Sequence, residues 1–300
     1  MTSRGLWKFQ YRFAPYLFVA PFVALFCVFM LYPLGRSIQL SLYKTAGPHS
    51  RQFVGLGNYA FFLNDIMFWV AVANTTAFTI AFLCLQIPAS LGLALLLNSR
   101  MVRFRNFFRF AFFSSHLVGN VFVAVIFLLL LAPRHGLIAR LLGAFYQPWS
   151  EIDFLGHPVY ARIAVVIASL WLSVGWGMIF FLAALQSVDR ELYEAANVDG
   201  AGGWARFWHV TMPGIRPVLI FLVLAGMIGA YQLFELPYVL FQGSGPAWAG
   251  LTVVMYLFQN GFEMGDIGAA SAIGWMLVVL ILIISLTQLK LTKVYKEDAR

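Results

Sequence analysis

The chain has 300 residues, 61% of them hydrophobic and 11% charged, with a net charge of +8 and a mean hydropathy of +0.82. These values lie far outside the averages of soluble globular domains and point to a polytopic membrane protein. The basic residues flank apolar runs instead of forming a basic domain, which excludes nucleic-acid binding.

A membrane span needs roughly 20 predominantly apolar residues, and in chain order six runs meet that length: Tyr16 to Leu34, Trp69 to Leu97, Phe107 to Leu131, Ile163 to Leu185, Val218 to Leu240 and Ala269 to Leu289. The first follows Arg4, Lys8 and Arg12 as a secretory signal would, but its length and its lack of a small-x-small cleavage pattern predict a retained helix. Asn74-Thr75-Thr76 in the second has the form of a glycosylation acceptor, yet it sits inside a span and reads as structural. None of the runs shows the roughly 10-residue alternation of a membrane barrel, so the expected fold class is all-α, with six transmembrane helices. Cys27 and Cys84 fall inside spans and are expected to be small buried residues with no disulfide and no metal.

Lysine and arginine in short loops are retained on the cytoplasmic side. With both ends inside, fourteen of the 20 basic residues are cytoplasmic and six lie on the other face. The organisation expected is a cytoplasmic N-terminus over 1–15, one six-helix transmembrane domain over 16–289 and a cytoplasmic tail over 290–300. The loop over 186–217, between the fourth and fifth spans, is then cytoplasmic.

Sites for chemistry are missing. There is no Gly-x-x-x-x-Gly-Lys-Ser/Thr phosphate loop, no His-Glu-x-x-His, and no pair among the five histidines at metal-ligand spacing. An integral membrane enzyme would need a clustered nucleophile, base or metal, and none is visible.

The polar stretch from Glu194 to Pro217 reads EAANVDGAGGWARFWHVTMPGIRP. Ser187 is placed to cap a short helix with Asp189 and Glu191 in its first turn, running to about Val198. Leu192, Ala195 and Ala196 form a small, weakly apolar patch, and Glu194 beside it suits a partner's arginine. Asp199-Gly200 breaks the helix, and a second short helix carrying Trp204, Phe207 and Trp208 follows at an angle. Pro213 and Pro217 end the polar segment and join it stiffly to span five. Such a segment docks another protein or lies on lipid headgroups with Trp204 and Trp208 as anchors.

At these residues the sequence resembles the permease subunits of binding-protein-dependent ABC importers, in the carbohydrate subfamily of the maltose and glycerol-3-phosphate systems. The family's signature places are filled by Glu194, Ala195, Ala196, Asp199, Gly200, Ala201, Phe207, Pro213 and Pro217. Further similar segments are Pro15 to Phe18, Phe53 to Tyr59, Asn74-Thr75, Gly136 to Ile138 and Leu182 to Gln186. The resemblance implies a coupling helix seated in a groove of an ATPase subunit, with Glu194 and Asp199 among the contacts. It also implies a second permease as heterodimer partner, two ATP-binding subunits that carry ATP and Mg, no cofactor on this chain, and an extracytoplasmic solute-binding protein. The location implied is the cytoplasmic (inner) membrane of a bacterium or archaeon, with both termini inside. Two departures stand out: Asp189 where the family has proline, and Ser115-His116 where span three has a proline.

Polar groups inside spans suggest where solute passes, because an acidic residue near the bilayer centre costs roughly 2.5–3.5 kcal/mol on insertion scales. Glu235 is the sharpest, beside Tyr231, Gln232 and Tyr238, with Asn74, Asn120 and Trp171 as further pathway candidates. A pairing or helix-gluing role for Glu235, Asn74 and Asn120 stays open. The resemblance implies a sugar, oligosaccharide or polyol, with glycerol-phosphate esters second. An ion-coupled secondary transporter using Glu235 or Asp266 is the competing class.

Overall fold

The computed structural model describes residues 3–47, 50–99, 102–133, 135–147 and 151–292. The expected tail beyond Thr292, with Lys293, Lys296 and Arg300, lies outside the described residues, as do Arg100, Arg134 and the side chains of Arg4, Lys8 and Arg12. Among the described residues, five helices are long and apolar enough to cross a membrane, and a bent pair forms a sixth candidate. By contacts the chain divides into two compact units, residues 1–64 with 257–277, and residues 65–256 with 278–300.

The first unit begins with α1 (Ser3–Phe26), which runs through a π-helical turn at Cys27–Leu31 into α2 (Tyr32–Ser41). The widened turn sits just ahead of Pro33, where the amide that a regular helix would use is missing. A hairpin of β1 (Tyr43–Ala46) and β2 (Ser50–Phe53) follows, a small departure from the all-helical expectation, and then α3 (Gly57–Asn64). The Phe53 to Tyr59 segment holds this together. Gly55 turns the chain at φ +56°, Asn58 Nδ2 donates to the carbonyls of Ser41 and Tyr43 at 2.9 Å each, and Tyr59 donates to Ser41 Oγ at 2.7 Å. Asp266, just before α14 (Ile267–Leu291), accepts from the Thr45 amide at 3.1 Å, the Thr45 hydroxyl at 3.0 Å and the Ala269 amide at 2.9 Å. It is a cap that fastens the helix start to the hairpin.

In the second unit α4 (Ile66–Asn98) and α8 (Pro158–Ser187) pack along each other, and α11 (Met212–Tyr231) lies against both. Lipid tails supply no hydrophobic drive between helices, so close approach by small residues does the work. At Gly175 a Cβ would come within 1.9 Å of the Phe112 carbonyl oxygen, which seats α5 (Arg105–Ser114) directly on α8. Ser90 Oγ donates to the Val174 carbonyl at 3.0 Å. Cys27 and Cys84 are free but exposed on helix surfaces, not buried as expected.

Two expected spans are broken. Phe107 to Leu131 is not one helix: a 3-10 turn at Ser115–Leu117 and extended backbone at Val118 and Gly119 separate α5 from α6 (Asn120–Leu131), with a 98° bend. Ser115-His116 lies in that turn. The run Val218 to Leu240 stops at Tyr231, and after Gln232–Phe234 a separate α12 (Glu235–Phe241) begins. Both short helices pack together through Val123, Ala124, Leu236 and Leu240. The unit also contains α7 (Leu137–Phe145), α9 (Arg190–Val198), α10 (Gly203–Arg206) and the start of α13 (Val253–Phe258).

Candidate functional site

The loop after α8 is ordered by local bonds. Ser187 is not the cap: its hydroxyl donates back to the Ala184 carbonyl at 2.8 Å, and the Asp189 carboxylate caps α9 by accepting from the Glu191 amide at 3.0 Å. Helix α8 simply runs on through Ser187, leaving the next cap-forming residue to start α9. Asp189 has φ −60° and follows Val188 at ψ 128°, a backbone that proline also adopts, so either residue fits the start of this helix.

Helix α9 ends in a Schellman turn. The Gly200 amide donates to the Asn197 carbonyl at 3.1 Å and the Ala201 amide to the Ala196 carbonyl at 2.9 Å, with Gly200 at φ +75°. Ala195 supplies the carbonyl for the Asp199 amide at 3.0 Å. The alanines, Asp199, Gly200 and Ala201 are thus one backbone device. No residue of α9 is buried; Glu194, Ala195, Asp199 and Gly200 are exposed, Ala196 and Ala201 half-buried, and Val198 is 88% exposed.

The second short helix of the expected pair is not separate. Helix α10 passes through a π-helical turn at Phe207–Thr211 into α11, so one helix runs from Gly203 to Tyr231 over 29 residues. Pro213 and Pro217 lie inside it, exposed, and do not end it. The widened turn, in which the Met212 amide reaches back to the Phe207 carbonyl, stands at the same offset before Pro213 as the earlier one before Pro33. Phe207 is half-buried and stacks on Trp204 at 5.9 Å. Tyr193 and Thr211 hydroxyls meet at 3.0 Å, Arg206 donates to the Asn197 side chain, and Arg216 donates to the Thr292 carbonyl at 2.7 Å. Gly214 lets Val188 approach to 2.7 Å of where a Cβ would stand. An exposed helix on a stiff mount is the result.

A cavity of about 930 Å³ lies between α4, α8, α11 and the two helix breaks. Of the seven pathway candidates, Asn120, Gln232 and Glu235 are on its wall. Asn120 Nδ2 donates to Glu235 Oε2 at 2.8 Å, so the two broken spans are joined there by their polar side chains. The other four are elsewhere. Asn74 is buried, donating to the Trp248 and Leu251 carbonyls at 2.8 and 3.1 Å and accepting from Arg162 at 3.1 Å. It holds a stretch in which Ala247 and Trp248 have left-handed backbone, φ +46° and +61°. Tyr231 is 3% exposed and bonds Thr76 at 3.1 Å, Trp171 faces outward at 45% exposure, and Tyr238 stacks on Phe234 at 5.2 Å.

Sequence reasoning missed Gln86, His116, Ser169, Ser173 and Trp176, which also line the cavity. Ser169, Ser173 and Trp176 recur at four- and three-residue spacing on one face of α8, a signal that was available. Gln86 Oε1 is buried without a hydrogen-bond partner, an acceptor left open beside the cavity. Among the described residues no group of three His, Cys, Asp or Glu side chains converges as a metal site.

Long apolar helices that enclose a cavity with a few polar groups on its wall and carry an exposed helix at one end fit passage of a solute, so the class is the membrane component of a transporter. The chain belongs to the family described as binding-protein-dependent transport system inner membrane component, whose model matches residues 86–293. It is similar to the arabinooligosaccharides transport system permease protein AraP of Bacillus subtilis, 38% identical over 95% of this chain and 90% of that one. The lactose transport system permease protein LacF of Rhizobium radiobacter is 36% identical over 96% of each. A bacterial ABC transporter involved in the import of the acidic polysaccharide alginate contains a chain of the same fold, at TM-score 0.83 and 24% identity over 97% and 99% of the two chains.

Proposed function

We propose that this chain forms half of the translocation pathway of an ATP-driven importer for a sugar or related polyol, and that the 186–217 segment couples it to separate ATPase subunits. The observation that carries this reading is the continuous helix Gly203–Tyr231, which leaves the docking loop and reaches Gly226 and Gly229 on the cavity wall. At 1.5 Å per residue it is a rod of about 43 Å, so displacement of α9 by a closing ATPase reaches the cavity without a flexible joint. Glu194 and Asp199 are the exposed acidic groups offered to the ATPase, and Ala195, Ala196, Gly200, Ala201, Phe207, Pro213 and Pro217 shape their mount. ATP and Mg stay on those subunits. Alternation between inward- and outward-open states then follows as a rigid-body motion against a second permease, with a solute-binding protein delivering cargo from outside. The charge pattern supports an inner-membrane location with both termini cytoplasmic.

Relatives named for arabinooligosaccharides and lactose support a carbohydrate cargo. Glycerol-phosphate esters fit less well, since the wall presents a carboxylate. An ion-coupled carrier has no use for a docking helix. The test is co-purification of the permease pair with its ATPase subunits and ATP-dependent sugar uptake in proteoliposomes. Glu194→Lys should abolish the association while leaving membrane insertion intact. Uptake that persists without the ATPases would sink the proposal.

A further inference from the structure

We infer that Glu235 is a charge filter on the cavity wall and that the solute it admits is uncharged, a hydroxyl-rich oligosaccharide and not a uronate or phosphate ester. The inference rests on the reading of the chain as a sugar permease and names the class of sugar. Among the described residues lining the cavity, Glu235 is the one carboxylate, and there is no lysine or arginine to offset it. The other ionisable side chain is His116, whose Nδ1 lies 3.2 Å from the Leu172 carbonyl oxygen and whose ring sits 6.2 Å from Phe113 and 6.0 Å from Trp176.

The carboxylate is held in place, because Asn120 donates to Oε2 at 2.8 Å. Oε1 is left to accept from a solute hydroxyl, and a hydrogen bond to an ionised acceptor is about twice as strong as a neutral one. Ser173 and Gln232 supply further hydroxyl- and amide-type partners on the same wall, with Trp176 and Phe234 as ring faces. A neutral sugar finds donors, acceptors and rings. The ionised group of an anionic solute offers Oε1 no proton and meets a fixed like charge on a wall that is largely apolar, where a separation of about 5 Å at an effective dielectric of about 20 disfavours it by on the order of a hundredfold. Likeness of fold to an alginate importer is therefore no guide to cargo charge.

The permease pair with its ATPases, in nanodiscs and without the binding protein, is titrated with lactose and with a disaccharide of equal size bearing one uronate, followed by saturation-transfer NMR. The wild type should prefer the neutral sugar at least tenfold. Glu235→Gln should weaken lactose binding several-fold and bring the preference below threefold, and Glu235→Lys should invert it. Equal binding of both sugars by the wild type, a preference unchanged within twofold in Glu235→Gln, or no sugar binding at all alongside intact ATP-dependent uptake would each overturn the filter. Should Glu235→Lys fail to assemble, checked by gel filtration, the Glu235→Gln ratio decides. Loss of ATP-dependent sugar uptake by the wild-type importer in proteoliposomes is a separate result and sinks the permease reading itself.

Discussion

Gly200 separates the shape of the 186–217 loop from its chemistry. Its φ of +75° closes the Schellman turn, and a Cβ built there meets no atom within 4 Å, so a substitution costs backbone energy and no clash. Alanine in the left-handed region costs about 1 kcal/mol and valine, with its branched Cβ, about 2 kcal/mol, whereas asparagine tolerates that region with little penalty. Helix α9 has no buried residue to resist the strain, so the turn opens instead. One to two kcal/mol lowers the closed-to-open ratio of the turn about 5- to 30-fold, and affinity for a partner that needs the closed turn falls by up to that factor. The assay is biolayer interferometry of purified ATPase subunits on the permease pair in nanodiscs. The expected order is Gly200 equal to Gly200→Asn, then Gly200→Ala up to about fivefold weaker, then Gly200→Val up to about thirtyfold. If asparagine harms docking as much as valine, or valine leaves it unchanged, the closed turn is not what the partner reads.

Asp189→Ala should cost the loop about 1 kcal/mol of capping energy; Asp189→Pro loses the same carboxylate cap but recovers about 0.4–1 kcal/mol by restricting the unfolded chain at a backbone that already suits proline, so it should be the milder change, and amide hydrogen exchange over Arg190–Val198 reads both. Asn74→Ala should destabilise the protein by roughly 2–3 kcal/mol, because two buried carbonyls lose their donor and the left-handed stretch at Ala247–Trp248 loses its tie. A lowered unfolding temperature with unchanged solute preference is the expected pattern. Gly175→Val should prevent α5 from seating on α8, since its Cβ would fall 1.9 Å from the Phe112 carbonyl oxygen, and the variant should be recovered mainly as aggregate on gel filtration.

The apolar runs were enough to place the long helices, because length and hydropathy decide that question alone. They hid the breaks. Val118-Gly119 follows Ser114, Ser115 and His116 and precedes Asn120, and Phe234 stands between Gln232 and Glu235 with Pro237 close behind; those local signals were outweighed by the apolar residues on either side, and none of them gives the size of the 98° bend or the φ of −142° at Phe234. In the loop, Asp199-Gly200 was readable as a helix stop since a left-handed turn has few residue choices, whereas Ser187 and Asp189 both suit a cap and only the length of α8 decides between them. Pro213 and Pro217 read as a stiff junction to span five, but the continuous helix through them was hidden, because a π-helical turn ahead of Pro213 absorbs its missing amide. Asn74 shows the limit for the cavity: a polar group in a span signals a purpose, but its partners at Trp248 and Leu251 are 174 and 177 residues away and no spacing rule reaches them.

The helix Gly203–Tyr231 also makes length itself a constraint on how such a chain can diversify. One residue inserted between Pro217 and Gly226 would turn everything beyond it by about 100° and shift it about 1.5 Å, carrying Gly226 and Gly229 off the cavity wall while the 186–217 loop stayed in place. Side chains along this rod are free to drift with the cargo. The residue count is not, and a recombined permease that takes its loop from one parent and its cavity from another has to be joined in register within this helix.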